Sequence, residues 1–319
     1  MFEKLSFNIN EVYPTLVVST MSSGKSTLIN SLVGTELLPS MNRACTAKAV
    51  AVLDNDWKAQ FEIHLVNEKG EYVHIKEATK RIISDFNKSD TISEMIIEGE
   101  IKGIKNSKKS LLLIDTPGIN NSMDRSHETV TRKVLDEFPE GLIIYLINAQ
   151  QIGTYDDSGF MSMIAKKLKA NEGFSILFVI NKMDLIDPLN EDPDELMDNC
   201  RKYIIKNGIV DPTLIPVSAE SGMIFKKVLA GVALTETEEE NFTRNYRHFK
   251  REGFSLLDYM CVPRNGNMSD CVSVDGVEYK KAQIMAALEN TGIPGLEKII
   301  DEMLVRSLKL RPPKIKVKK

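Results

Sequence analysis

Short apolar runs bounded by turn chemistry recur along the chain: Tyr13–Val18, Ala47–Leu53, Phe61–Val66, Met95–Ile104, Leu111–Ile114, Leu142–Ile147, Ile176–Ile180 and Leu214–Val217. Helical patterns sit between many of them. The spacing predicts helices over Lys25–Leu32, closing at Gly34, over Ser126–Glu137 and over Asp156–Lys169. Asp192-Pro193-Asp194-Glu195 places a cap residue, a first-turn proline and acids at another helix start, and Gly208 follows its end. Strands alternating with helices predict an α/β fold with a mostly parallel sheet.

The rhythm changes twice. Between Asp54 and Ser110 the alternating segments Phe61–Leu65 and Tyr72–Ile75 and a helix over Glu77–Phe86 form a large insertion, and the strands at Phe61 and Ile96 are expected to extend the sheet antiparallel at one edge. Beyond Val217, Thr235–Phe254 is charged and helix-prone, Pro263–Asn267 is turn-rich and Ala282–Glu289 is helical. A last helix, Pro294–Leu308, carries Leu296, Ile299, Ile300, Met303, Leu304 and Leu308 on one stripe. That stripe either docks on the chain's own surface or begins a bundle shared with other residues. The expected division is a nucleotide-binding domain over 1–225, an insertion of helices and loop packed on it over 226–290, and a helix with a basic tail over 291–319, the start of a helical neck.

Composition narrows the partners. A net charge of −4 over 319 residues argues against a protein that coats nucleic acid, and DNA is not an expected partner. The acid-free run Lys309–Lys319 is a local basic exception, read as a solvated tail, as a stretch cut from a longer chain, or as a contact for membrane or RNA. Cys45, Cys200, Cys261 and Cys271 have no metal-type spacing and read as reduced thiols of a cytoplasmic protein. No segment approaches the roughly 20 apolar residues needed to span a bilayer, so membrane contact is expected to be peripheral. His64, His74, His127 and His248 are scattered and receive no catalytic role.

The chemistry concentrates in three strings. Val17–Thr27 joins a strand end to a small-residue loop and to Gly24-Lys25-Ser26-Thr27 at a helix mouth, although Ser19 stands where the usual phosphate-loop pattern begins with Gly. Small side chains let the backbone N–H groups of Ser22, Ser23 and Gly24 turn toward a polyphosphate, Lys25 neutralises it, and the Ser26 hydroxyl can hold Mg²⁺. Leu111–Gly118 is an apolar strand ending in Asp115-Thr116-Pro117-Gly118, where Asp115 approaches Mg²⁺ through water and the Gly118 N–H meets the γ-phosphate. In Asn181-Lys182-Met183-Asp184 the aspartate can accept two hydrogen bonds from the guanine N1–H and 2-amino group, which adenine lacks. Asn181 would tie this loop to the phosphate loop, Lys182 would cover the ring, and the Ala219 N–H after Ser218 would reach the guanine carbonyl. The ligand is then GTP or GDP with Mg²⁺.

In order and spacing these strings resemble a GTP-binding domain, and in detail the dynamin superfamily, most of all bacterial dynamin-like proteins. The likeness is carried by Thr20–Ser26, by Leu38-Pro39 followed by Thr46, and by Asn148–Asp157; it covers Val17–Ala219 well and the last third loosely, at Thr291–Leu296. It implies a three-layer P-loop GTPase domain with antiparallel edge strands and helical C-terminal additions. It further implies that Thr46 binds Mg²⁺ and fixes the attacking water, and that Ser22 helps hold a monovalent cation (K⁺ or Na⁺) beside the phosphates. The catalytic set is then Ser22, Lys25, Thr46 and Gly118, with Ser26, Thr46 and Asp115 as metal ligands. A nucleotide-dependent homodimer through the GTPase domain and peripheral membrane work are likewise implied.

Two departures point to slow basal turnover. Met21 replaces a water-positioning glutamine of eukaryotic dynamins, and Ile119 stands where small regulatory GTPases carry one. Two other readings follow from the same residues: a ribosome- or RNA-associated GTPase whose basic tail touches phosphate, and a GTP-sensing scaffold with little hydrolysis.

Overall fold

The computed structural model describes residues 5–19, 22–39, 50–89, 91–105, 109–116, 126–153, 155–170, 173–187, 191–251, 254–260, 270–305 and 316–317. In chain order the elements are β1 (Leu5–Ser6), β2 (Val12–Ser19), α1 (Lys25–Val33), β3 (Val50–Asp54), β4 (Glu62–Asn67), β5 (Tyr72–Ile75), α2 (Lys80–Lys88), β6 (Ile92–Gly99), β7 (Ser110–Asp115), α3 (Ser126–Glu137) and β8 (Gly141–Asn148). Then follow α4 (Tyr155–Ala170), β9 (Phe174–Asn181), α5 (Pro193–Lys206), β10 (Leu214–Pro216), α6 (Ala219–Leu229), α7 (Glu236–Phe249), β11 (Cys271–Val274), β12 (Val277–Lys280), α8 (Lys281–Asn290), α9 (Ile293–Val305) and β13 (Lys316–Val317).

The main sheet has the order β10-β9-β8-β2-β7-β3-β6-β4-β5. From β10 to β7 all neighbours are parallel. Every residue of β2 and β8 is buried, as strands covered on both faces require, which is why they read as unbroken apolar runs. One apolar cluster on one face takes Leu28 and Ile29 of α1, Ile83 of α2 and Leu296, Ile300 and Leu304 of α9. The other takes Val134 of α3, Ile164 of α4, Cys200 and Ile204 of α5 and Phe225 of α6. The result is a three-layer α/β domain with a mostly parallel sheet.

As expected, the sheet is extended at one edge by antiparallel pairing. The strand holding Ile96 runs parallel to β3 and so against β7, and the reversals lie between β7 and β3, between β6 and β4 and between β4 and β5. The cause is connectivity: β6 leads through a short connection into β7 and must run against it, while β3 slots between the two and shares the direction of β6. The apolar run Met95–Ile104 is accordingly broken, with the strand ending at Gly99 and Ile101 and Ile104 buried in the turn beyond.

The last third differs more. The charged stretch forms α7, opened by a capping box between Thr235 and Glu238 and docked on α6 through edge-to-face contacts of Phe225 with Phe242 (5.7 Å) and Phe249 (6.4 Å). Between α7 and α8 lies a β11–β12 hairpin where only helices and loop were expected. Its turn is Asp275-Gly276, both at positive φ (48° and 69°), a combination that a two-residue hairpin demands. The α9 stripe docks on the chain itself: Leu296, Ile300 and Leu304 are fully buried, with Ile299 and Met303 packed alongside. Of the basic tail, Lys316 and Val317 pair antiparallel with Ser6 and Leu5.

An ion pair fastens α9 to the rest. Lys226 of α6 meets Glu297 of α9 and donates to the Ser31 carbonyl of α1 at 2.6 Å. Burial pushes the Glu297 carboxyl above its ordinary range, and the Lys226 ammonium pulls it back down. Gly222 of α6 permits the approach, since a Cβ there would lie 2.5 Å from Ile293 and 3.0 Å from Ser31. Removing one charge strands the other in a dry site. Lys226→Met is expected to cost about 3–5 kcal/mol in urea unfolding, and Lys226→Met with Glu297→Leu to regain most of it, because only the single variant leaves a charge unpaired.

Candidate functional site

The parallel strands end at one edge of the sheet, where crevices of α/β folds take their ligands. β2 stops at Ser19 and β7 at Asp115, whose register partner is Val17; β8 and β9 stop together at the paired Asn148 and Asn181. The described stretches at the ends of β2, β7, β9 and β10 therefore meet.

The first of them is built for an anion. Ser22 (φ 60°) and Gly24 (φ 87°) are both left-handed, an arrangement that turns successive N–H groups to one side of the chain. No side chain caps the start of α1, whose first helical residue is Lys25. Gly24 is required twice over: by its φ, and because a Cβ there would stand 2.6 Å from Nδ2 of Asn181. The Lys25 ammonium pairs with the Asp115 carboxylate, which brings the expected phosphate-neutralising and metal-approaching groups to one point. Ser26 and Thr27 follow on the first turn of α1, half-buried. A hydroxyl and a carboxylate at this place are hard oxygen donors, the type that suits Mg²⁺. Thr116 locks the end of β7 by donating from Oγ1 to the Val17 carbonyl at 2.8 Å.

Asn181 joins three loops. Its Nδ2 donates to the Ser23 carbonyl at 2.8 Å, and its Oδ1 accepts from the Ala219 N–H at 3.0 Å. The Ala219 N–H, expected to reach a guanine carbonyl, is thus engaged by Asn181 in this structure. Lys182 is left-handed (φ 69°), which turns the chain so that Asp184 comes back beside Ser218. The Ser218 hydroxyl donates to Oδ1 of Asp184 at 2.6 Å while capping α6 through the Ser221 N–H. The carboxylate is oriented by a neutral donor and stays half-exposed at the site. Thr46 and Gly118, together with Met21 and Ile119, lie outside the described residues.

Sequence reasoning missed the surroundings of Asp184. Glu220 has its carboxyl raised by burial and by the nearby Asp184, against the opposing effects of Arg244 and of a 2.8 Å hydrogen bond from Asn241. His248 of α7 is held below the ordinary imidazole value by burial and by Arg251, with Asp184 and Asp187 pulling the other way. α7 therefore flanks the Asp184 end of the site, and a charged stretch carries no local signal for such a long-range placement. The Thr291 carbonyl, between α8 and α9, accepts the Ser218 N–H at 2.9 Å and steadies the same loop. Among the described residues no helix is long and apolar enough to cross a membrane.

Comparison with known proteins gives this geometry a family. Residues 16–183 match the model of the dynamin family. The chain is 24% identical over 196 residues to a bacterial dynamin-like protein of Nostoc punctiforme, covering 58% of this chain and 27% of that one. It is 30% identical over 210 residues to the mitochondrial dynamin-like GTPase MGM1 of Saccharomyces cerevisiae, covering 61% of this chain and 22% of that one. It thus spans about a quarter of the length of these relatives. A solved structure described as an oligomerised bacterial dynamin pair shares the fold, with a TM-score of 0.50 at 19% identity, over 74% of this chain and 37% of that one. The matched segment holds the phosphate loop, the Asp115 strand and the Asn181 loop together, and the chain belongs to the dynamin family, its loops those of a GTPase domain.

Proposed function

We propose that this chain binds GTP with Mg²⁺, hydrolyses it to GDP and phosphate, and uses the loss of the γ-phosphate to drive a membrane-related mechanical change through a homodimer. The observation that carries the reading is the Asn181 carboxamide, which holds the phosphate loop and the base loop at a fixed separation. Such a bridge suits a ligand with a polyphosphate at one end and a base at the other.

In this reading Lys25 leaves Asp115 for the β- and γ-phosphate oxygens, and the N–H groups from Ser22 to Thr27 take the rest of the phosphate charge. Ser26, Thr46 and Asp115, the last through water, would hold Mg²⁺, which when bound offsets charge between the two phosphates. Asp184 accepts from guanine with Ser218 and Asn181 behind it, Lys182 lies over the ring, and Ala219 reaches its carbonyl by sharing the N–H now given to Asn181. Thr46 and Gly118 respond to the third phosphate. Ser22 would help hold a monovalent cation, which would supply the compensating charge that an arginine finger supplies elsewhere.

Membrane work rests on likeness: the oligomerised bacterial dynamin pair is described as sensing and tethering membranes at long range. We assign residues 1–225 to the GTPase domain, 226–290 to an appended layer and 291–319 to the start of a neck, and peripheral attachment from the cytoplasmic side fits a chain of this kind.

Three outcomes test the reading. Asp184→Asn is expected to weaken GTP binding by about 10²–10⁴-fold, since two hydrogen bonds to a charged group are worth about 1.5–3 kcal/mol each. Xanthosine triphosphate, whose 2-oxo group accepts from the new amide, should regain affinity in a competition assay. Phosphate release in K⁺ buffer with excess Mg²⁺ and GTP should rise per molecule as protein concentration increases over two decades. Flat turnover would remove the dimer, and release no greater than that of Lys25→Ala would leave a GTP-sensing scaffold. Pelleting with anionic liposomes is expected; salt-sensitive RNA binding in its place would favour the ribosome-associated reading.

A further inference from the structure

At the far edge of the main sheet, strand register gathers a set of groups that the nucleotide site does not use. His64 of β4 stands directly opposite His74 of β5. Glu62 lies two residues before His64 and so on the same face, and it stands directly opposite Glu98 of β6. Two imidazoles and two carboxylates therefore share one face of three neighbouring strands. β5 is five strands from β2, roughly 24 Å at about 4.8 Å per strand, so this place is separate from the phosphate loop.

The side chains converge. His74 Nε2 is 2.8 Å from Oε2 of Glu62, and His64 Nε2 is 2.9 Å from Oε2 of Glu98. The two rings stack with centroids 4.6 Å apart and planes 11° from parallel. One ligating atom each from Glu62, His64 and His74 falls within a mutual 4.8 Å. His64 is held from behind, its Nδ1 lying 2.7 Å from the Tyr72 hydroxyl. The side chains of His64 and Glu98 are 9% and 8% exposed. The cluster is covered at His64 and Glu98 and open toward His74 and Tyr72, which are exposed.

We propose that Glu62, His64 and His74, with Glu98 beside them, bind a divalent first-row transition-metal ion, zinc by the ligand set, in competition with the Lys58 ammonium. Two imidazoles and a carboxylate with room for one more ligand suit zinc, and nickel or copper by affinity order. Bonds of about 2.0–2.2 Å put tetrahedral ligand atoms about 3.4 Å apart, which small ring rotations from the stacked pair supply. His64 then ligates through Nε2, its ring proton moves to Nδ1, and the Tyr72 oxygen accepts it, an outer partner of the kind that fixes a metal-bound histidine.

Lys58 is the resident cation. Its Nζ is 2.6 Å from Oε2 of Glu62 and 3.8 Å from Oε2 of Glu98. Its side chain is 28% exposed on the turn before β4, so it can swing into water and give up the carboxylates. A bound ion would tie β5, the exposed edge strand, to β4 and β6.

The test uses the full untagged chain titrated with Zn²⁺ against a chromophoric chelator, with Co²⁺ visible absorption as the readout of tetrahedral nitrogen and oxygen ligation. One equivalent should bind. Tyr72→Phe should weaken binding about 10–100-fold, and His74→Ala by more. Lys58→Met should tighten it by about tenfold or more, because a like charge leaves the site. The latter three side chains are partly exposed, and circular dichroism verifies that each variant is folded. No uptake by either the wild type or Lys58→Met, or uptake that survives His74→Ala, overturns the site. Unchanged or weaker uptake in Lys58→Met overturns the competition.

Discussion

The carboxamide of Asn181 is the interaction on which the rest of the candidate site depends. It spends its donor on the Ser23 carbonyl and its acceptor on the Ala219 N–H, and it is itself 2% exposed. An apolar side chain there would take the acceptor away from the buried Ala219 N–H, and a buried donor left unpaired costs about 1–3 kcal/mol. The closeness of Gly24 belongs to the same constraint, since the phosphate loop lies against this amide with no room for a Cβ. The sheet supplies the rigidity: β8 and β9 pair along their whole lengths and deliver Asn148 and Asn181 side by side. A loop motif becomes a site only because fully buried strands hold its ends in place.

A second constraint runs through α6. Its first turn carries Ser218 and Ala219 to the base end, its middle approaches α1 and α9 through Gly222, and Lys226 near its end joins Ser31 to Glu297. The aromatic face of the same helix receives α7 through Phe225. One helix thus touches α1, α9 and α7. Rigid elements joined in this way move together or not at all, which is the physical requirement for turning a local change at a phosphate into displacement elsewhere.

Much of this was legible in the sequence because its signals are local. Unbroken apolar runs mark strands buried on both faces, and the residues of the phosphate loop, of Asp115 and of Asn181 to Asp184 are contiguous strings. What escaped depends on partners remote in sequence. The place of β3 between β7 and β6 follows from pairing with strands remote in sequence, and the meeting of His64, His74, Glu62 and Glu98 follows from register across three strands. Glu220 and His248 take their character from α7 lying near Asp184. The hairpin at Asp275-Gly276 is a different case: its signal was local, and the charged composition around it obscured the short β11 and β12.

The hydrogen bond from the Ser218 N–H to the Thr291 carbonyl has a temporal meaning. A chain made from its N-terminus can assemble the sheet and the phosphate loop early, because every strand from β2 to β10 precedes Ser218. The loop beside Asp184 gains this backbone partner only when the junction between α8 and α9 has been synthesised and has folded back. A nascent chain would therefore form the loop around Gly24 before the loop beside Asp184 is steadied, and that end of the candidate site would settle only with α8 and α9.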